Sequence, residues 1–269
     1  MSPSLALQDV SFRFPDGTEA VREVTLEIEG GRRLALVGQN GSGKSTLVRQ
    51  LNGLLRPTSG RVLIDGRDIA DRRVAQLAAI VGLAFQNPDR QIFSRTVGDE
   101  VAFGPRNLGR RGEELVRRSR DALAAVELAG LEQVHPYDLG YTQRKLLAIA
   151  SVLAMDTPVV ILDEPTTGQD ATGIRLLADL VTRLSAEGRT VIAISHDMRF
   201  VAETFERIVV MREGTIVLDG PPAEVFARQN WDTLGTTFLD PPFAARIGEQ
   251  LGVGATPTEA ALVDALRRS

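Results

Sequence analysis

The sequence predicts an α/β fold: parallel strands alternating with helices, and an antiparallel β lobe. Three observations carry this. Val159–Leu162 and Thr190–Ile194 are near-continuous apolar runs that stop at polar residues, as strands covered on both faces do. Arg33–Val37 is a short apolar run that enters a glycine-rich stretch, Gly38–Ser45, and is followed by apolar residues at helical spacing. Alternating segments with tight turns occur at residues 4–30 and 207–218.

In chain order, Leu5, Leu7 and Val10 lead to Phe12-Arg13-Phe14 and a Pro15-Asp16-Gly17 turn. Val24, Leu26 and Ile28 then face one way and Thr25, Glu27 and Glu29 the other, which makes an antiparallel hairpin. Phe14 is either sheet core or a ring placed to stack on adenine. Arg56–Gly60 is a turn, Arg61–Ile64 a strand, Asp65-Gly66 a tight turn, and 71–80 a short helix or loop. Val81–Phe85 is a strand that ends at Gln86. Residues 87–109 read as loop-rich, broken by Pro88, Gly98, Gly104, Pro105 and Gly109. They also carry Ile92, Phe93, Val97, Val101, Phe103 and Leu108, so they either dock on a partner or fold those side chains inward.

Residues 112–129 predict a helix with Arg117, Arg118 and Arg120 on a solvated face. Leu139–Gln143 precede a helix over Arg144–Met155. Val159–Leu162 ends in Asp163-Glu164, an amphipathic helix covers 173–187, and Thr190–Ile194 ends in Ser195-His196-Asp197. Arg207–Arg212 and Thr215–Leu218 form a closing hairpin. From Pro221 onward prolines cluster around three helical pieces, Ala223–Arg228, Phe243–Leu251 and Thr258–Arg268. That tail is too small for a robust core of its own and is expected to pack on the body or on another subunit.

The 269 residues, 43% hydrophobic and 25% charged, are those of an ordinary soluble globular protein. A net charge of −4 gives no support to nucleic-acid binding. With no Cys there is no disulfide and no thiolate ligand or nucleophile. The N-terminus lacks the pattern of a signal peptide, and no apolar run reaches the ~18 residues of a membrane span. A cytoplasmic protein is expected, reaching a membrane only through a partner.

Gly38-Gln39-Asn40-Gly41-Ser42-Gly43-Lys44-Ser45 matches G-x-x-x-x-G-K-S, the phosphate-cradling loop of P-loop nucleotidases. Glycines let backbone N–H groups turn inward without Cβ clashes. Lys44 can reach the β- and γ-phosphates and the Ser45 hydroxyl can ligate Mg²⁺. The following helix aims its positive end at the same phosphates. Parallel sheets bind ligands at the carboxyl ends of their strands. Here those ends are Gly38, Gln86, Asp163-Glu164 and His196, the polar groups a phosphoryl-transfer site requires. Asp163 suits Mg²⁺, Glu164 suits the attacking water, Gln86 suits either, and His196 suits the γ-phosphate and Glu164. No Asn-Lys-x-Asp guanine-reading motif is present.

The order of Gly38–Ser45, Gln86, Leu139–Gln143, Asp163-Glu164-Pro165-Thr166, Gly168-Gln169-Asp170 and Ser195-His196-Asp197 resembles that of ABC-transporter ATPases over residues 4–220. The resemblance implies a P-loop ATPase domain over 1–220, with a helical signature subdomain inserted at about 87–155, and a helical tail over 221–269. It implies ATP and Mg²⁺. Phe14 would stack on adenine; Gly38, Gln39, Asn40, Gly41, Ser42, Gly43, Lys44, Ser45 and Thr46 would hold the phosphates. Ser45, Gln86 and Asp163 would serve the metal, and Glu164, His196 and Gln86 the chemistry. Asp170 would be the D-loop aspartate. Leu139, Gly140, Tyr141, Thr142 and Gln143 would act on the ATP of a second ATPase subunit, head to tail.

Phe85–Phe93 and Val101-Ala102-Phe103-Gly104-Pro105 are most similar to ATPases of energy-coupling factor transporters, which serve vitamin, cobalt and nickel uptake. That likeness implies a peripheral subunit on the cytoplasmic face of the membrane. Residues 86–108 would dock on a transmembrane coupling subunit, a substrate-binding membrane subunit would be reached indirectly, and the tail would help hold the ATPase pair. Other ABC transporter classes and soluble DNA-repair or translation ATPases share the motifs, but the latter usually add a coiled coil or second cassette. The sequence departs from the family where its signature loop reads Leu-Ser-x-Gly-Gln. Gly140 stands at the Ser position and Thr142 at the Gly position, and Gln169 and Ala171 replace the usual Leu and Pro. A weakened signature loop implies a non-identical partner.

Overall fold

The computed structural model describes residues 2–268. The chain runs β1 (Leu5–Arg13), β2 (Glu19–Ile28), β3 (Arg33–Val37), α1 (Lys44–Leu51), β4 (Ser59–Ile64), β5 (Arg67–Asp68), α2 (Val74–Ala78), β6 (Val81–Ala84), α3 (Val97–Asn107), α4 (Gly112–Ala125) and α5 (Tyr141–Leu153). It continues through β7 (Val159–Asp163), α6 (Ala171–Ala186), β8 (Thr190–Ile194), α7 (Met198–Thr204), β9 (Arg207–Arg212), β10 (Thr215–Gly220), α8 (Pro222–Val225), α9 (Trp231–Gly235), α10 (Phe243–Gln250) and α11 (Glu259–Arg268).

Two sheets result, an antiparallel β2-β1-β4-β5 lobe and a six-stranded β10-β9-β3-β8-β7-β6 sheet. The closing hairpin joins the second sheet: β9 runs parallel to β3, and β10 forms an antiparallel edge. The period of two along each central strand explains the apolar runs. Ala35, Val37, Val160, Leu162, Val191 and Ala193 face a core shared with the helices. Leu34, Leu36, Val159, Ile161, Ile192 and Ile194 face a second core shared with the antiparallel lobe. Both faces of the central strands are therefore dry, and their polar side chains, Arg33, Asp163 and Thr190, stand at the strand ends.

Three sequence expectations are corrected. Residues 87–109 are not mostly loop, because α3 occupies Val97–Asn107. Thr96 caps it, its hydroxyl accepting from the Asp99 amide at 3.1 Å. The glycines that read as breakers mark close approaches instead. A Cβ on Gly104 would lie 2.5 Å from Met155 Cγ, and one on Gly98 would lie 3.1 Å from the Glu132 carbonyl oxygen. Tertiary contact overrides weak helix propensity there. Second, Arg118 leaves the solvated face expected of it and bonds to Glu114 at 3.0 Å and Asp156 at 2.6 Å. Asp156 also takes Arg189, so one carboxylate ties α4 to the entry of β8. Third, α5 begins at Tyr141 rather than Arg144, which puts Tyr141, Thr142 and Gln143 in its first turn.

The tail folds back on the body. Val225, Phe226, Leu234, Leu239 and Ala245 join the helix-side core. Arg212 donates to Thr236 Oγ1 at 2.8 Å, and Arg199 pairs with Glu259 at 3.1 Å. Among the described residues no helix is long and apolar enough to cross a membrane.

Phe226 is 1% exposed, and Phe226→Ala should remove about 3–5 kcal/mol in urea unfolding. A loss under about 1 kcal/mol would mean that the tail does not share the body's core.

Candidate functional site

The loop after β3 passes between two other backbone segments. A Cβ on Gly38 would lie 2.1 Å from the Met211 carbonyl oxygen, and one on Gly43 2.2 Å from that of Ala20. Both glycines have positive φ, 143° and 99°. Only glycine fits at either position. Gly41, at φ 82°, faces open space. Lys44 is 5% exposed, and its ammonium donates to the carbonyls of Gly38 (2.6 Å) and Gln39 (2.9 Å) and to Ser42 Oγ (3.3 Å). Burial lowers its pKa, against the upward pull of Glu164 and Asp163.

β7 delivers two carboxylates. Asp163 Oδ1 accepts from Ser45 Oγ at 3.4 Å. Burial raises the Asp163 pKa, opposed by that hydrogen bond and by Arg49 and Lys44. Glu164 takes a left-handed φ of 53°, unusual for a side chain of its size. Its amide donates to the Ile194 carbonyl at 2.9 Å, which pins the turn to β8. That strain costs of order 1–3 kcal/mol and persists because the surrounding backbone fixes it.

Glu164 is 4% exposed, and its Oε1 lies 2.9 Å from His196 Nε2. The contact is not aligned as a hydrogen bond, so Oε1 is buried without a hydrogen-bond partner. Burial pushes the Glu164 carboxyl up to about 7, partly offset by Lys44. Burial and the Lys44 charge hold the His196 pKa below its usual value. The pair is thus a carboxyl poised near neutrality beside a neutral imidazole.

These groups share a cavity of about 350 Å³ lined by Phe14, Asn40–Thr46, Gln86, Asp163, Glu164, Ile194 and His196, with Thr18, Glu19 and Ala20 along its wall. Gly38 and Gln39 sit beneath it, where their carbonyls anchor Lys44. Phe14 lies at the mouth and packs edge-on against Phe12 at 4.9 Å, so one ring serves both the sheet and the cavity. The oxygen donors of Ser45, Asp163 and Gln86 suit a hard divalent cation. Among the described residues no group of three or more His, Cys, Asp or Glu side chains is placed to hold a metal ion. A cation here therefore depends on ligand oxygens for the rest of its shell.

Leu139, Gly140, Tyr141, Thr142, Gln143 and Asp170 do not line this cavity. The Gln143 side chain accepts from the Gly140 amide at 3.3 Å, and the Thr142 hydroxyl donates to the Gly168 carbonyl at 2.9 Å. Asp170 caps α6 by accepting from the Gly173 amide at 2.8 Å. Two buried contacts beside the site were given no role in the sequence reading. Thr166 Oγ1 lies 3.2 Å from Ser195 Oγ, joining the ends of β7 and β8. Lys145 is 2% exposed and donates to the Thr167 carbonyl at 3.1 Å. Its signal was a lysine on the otherwise apolar face of a helix.

Gly43→Ala forces a side chain into both a backbone clash and a left-handed φ. Binding of a fluorescent ATP analogue should weaken at least about tenfold, a loss of ~1.4 kcal/mol. Unchanged affinity would mean the loop is not the phosphate cradle.

A family profile described as ABC transporter matches residues 21–167. A protein of Methanosarcina acetivorans described as an ABC transporter ATP-binding protein is 46% identical over 249 residues, 93% of this chain and 40% of that protein's length. The energy-coupling factor transporter ATP-binding protein EcfA of Methanocaldococcus jannaschii is 43% identical over 222 residues, 82% of this chain and 80% of its own. Among solved structures, cbiO1 of Clostridium perfringens, part of the ABC transporter complex cbiONQ, superposes with a TM-score of 0.77 at 34% identity. That alignment covers 94% of this chain and all (100%) of that one. The chain belongs to the ABC transporter ATPase family, with the ATP-binding fold and likeness to energy-coupling factor ATPases that its motifs predicted.

Proposed function

We propose that this chain is an ATP-hydrolysing subunit of an energy-coupling factor importer, and that it couples hydrolysis to uptake of a micronutrient, a vitamin or a transition-metal ion. The observation that carries the reading is the Glu164–His196 contact at 2.9 Å beside the Gly38–Thr46 loop in one cavity. The likeness to EcfA and cbiO1 supports the transporter class.

In this reading Phe14 stacks on adenine, and the amides of Asn40–Thr46 with Lys44 bind the phosphates. Ser45 and Asp163, with Gln86 nearby, would hold Mg²⁺, which neutralises phosphate charge. Glu164 orients a water and takes its proton as the water attacks the γ-phosphorus and the bond to ADP breaks. Neutral His196 holds Glu164 and the γ-phosphate in line.

A membrane partner is supported by an exposed aromatic pair. Phe93 and Phe103 are 61% and 41% exposed and meet edge-on at 4.7 Å. Buried Glu100 fixes the backbone at Phe93, accepting from the Phe93 and Ser94 amides at 3.1 and 2.9 Å. Residues 86–108 then dock on a transmembrane coupling subunit at the cytoplasmic face, and the substrate-binding subunit is reached through it. The ATPase domain spans 1–220. The tail over 221–269 presents Phe238 and Phe243, 85% and 75% exposed, to a second ATPase. No nucleic acid takes part.

Gly140 and Thr142 support a non-identical second ATPase. Gly140 has no hydroxyl to offer a partner's γ-phosphate, and that of Thr142 is committed to Gly168 within its own chain. The paired change Gly140→Ser with Thr142→Gly should raise the ATPase rate of this chain alone. No rise would remove the basis for asymmetry.

Glu164→Gln should keep ATP affinity and lose about 10²–10⁴-fold in kcat. Undiminished turnover would refute the base assignment. Because Glu164 must be ionised to accept a proton, kcat/KM should climb as pH rises through about 7. A profile flat across that range would contradict the role. Purification of the complex from membranes identifies the coupling subunit, and a partner of another transporter class would overturn the energy-coupling factor assignment.

A further inference from the structure

Lys145 stands apart from every role above. It is among the largest fully buried side chains in the molecule, at 2% exposed, on the inner face of α5. An unpaired buried ammonium is costly, and each such ion needs a compensating charge or hydrogen bonds. Its ammonium donates to the Thr167 carbonyl at 3.1 Å. The charges that favour its ionised form are Glu164 first and Asp163 second, while burial pulls it down to about 8. A cation from α5 thus reaches under the turn that follows the two carboxylates.

The same two segments are linked at their surface. Thr142 Oγ1 donates to the Gly168 carbonyl at 2.9 Å, and Gln169 Nε2 donates to the Thr142 carbonyl at 3.4 Å. The Tyr141 ring closes over Gly168, with ring carbons 3.0 and 3.1 Å from where a Cβ would stand. Residues 167–169 are therefore held by the first two turns of α5, and the Gln169 amide also donates to the Thr166 carbonyl at 3.0 Å. At their other end the Thr167 amide reaches the Glu164 carbonyl at 3.4 Å, and the Asp170 carboxylate starts α6.

We propose that Lys145 is a positioning residue: from inside α5 it clamps residues 167–169, so that the first turn of α5 and the Asp163–Glu164 turn move as one body. A partner nucleotide pressing on Gly140–Gln143 would then displace Glu164 in this chain's own site. The inference rests on the ATPase reading for its effect on catalysis, but the clamp itself does not.

The test uses the full chain with Lys145→Met, which keeps the aliphatic stem, Lys145→Arg, which restores charge and donors, and Lys145→Gln, which keeps only a donor. Hydrogen exchange of the peptide spanning 163–172 is read alongside kcat and KM for ATP, the kinetics in a mixture with an ATPase subunit that carries an intact Leu-Ser-x-Gly-Gln loop. For Met, exchange at 167–169 should accelerate about tenfold or more, with β8 protection unchanged. Its kcat should fall at least about fivefold while KM stays within about twofold, a loss confined to the transition state. Arg should restore both readouts and Gln should lie between. Unchanged exchange at 167–169 in Met, or in Gln if Met does not fold, overturns the clamp. A KM rise matching the kcat loss, or a failure of Arg to rescue, overturns the positioning role. If the unaltered chain mixed with an ATPase subunit carrying an intact Leu-Ser-x-Gly-Gln loop hydrolyses no ATP, the ATPase reading fails, and the exchange result still decides Lys145.

Discussion

Two carboxylates kept out of water at the end of one strand set the terms for everything around them. Asp163 and Glu164 are 3% and 4% exposed and adjacent in sequence. Buried like charges raise each other's pKa and are tolerated only near compensating cations. Lys44 supplies one from the loop after β3, and Lys145 supplies another from α5. The sheet exists in this form because both its faces are covered. The two cores exclude water along β3, β7 and β8 and leave polar groups at the strand ends, with the two carboxylates at the carboxyl end of β7. The strained φ of Glu164 follows from the same constraint: its amide is fixed to β8 while its side chain turns toward His196.

Around that centre lie two groups of polar residues. One group gathers with Phe14 and the glycine loop, Gln86, Glu164 and His196 in a cavity suited to a nucleotide. The other presents the first turn of α5, where Thr142 and Tyr141 are turned onto Gly168. In the proposed reading, the glycine loop and the α5 segment are the two halves of a site that a second ATPase completes. The contacts joining α5 to residues 167–169 give the two groups a physical connection. The tail adds exposed aromatic surface without forming a separate body, since Phe226 and Leu234 are buried in the common core.

Much of this was legible in the sequence, for local reasons. Strands buried on both faces must read as apolar runs, and a loop pressed between backbones must be glycine. Hence β3, β7, β8 and the Gly38–Ser45 cradle were visible, and with them Gln86, Asp163, Glu164 and His196. What stayed hidden depended on distant residues. Gly98 and Gly104 read as helix breakers until Glu132 and Met155 explain them. Arg118 read as solvated because its partner Asp156 is remote in sequence. Lys145 was passed over because the carboxylates that balance it lie on another element. The start of α5 was misplaced because Gly140, Tyr141 and Thr142 are poor helix formers, and Gln143 secures the first turn by accepting from the Gly140 amide.

The central claim is that this chain holds a competent nucleotide site that needs a different chain to complete it. The most direct measurement is ATP hydrolysis by the purified chain alone, set against an equimolar mixture with an ATPase subunit carrying an intact Leu-Ser-x-Gly-Gln loop. The account predicts a mixture rate at least about tenfold above the sum of the separate rates, as expected when missing γ-phosphate donors are restored. Full activity of this chain by itself, with no gain on mixing, would contradict it.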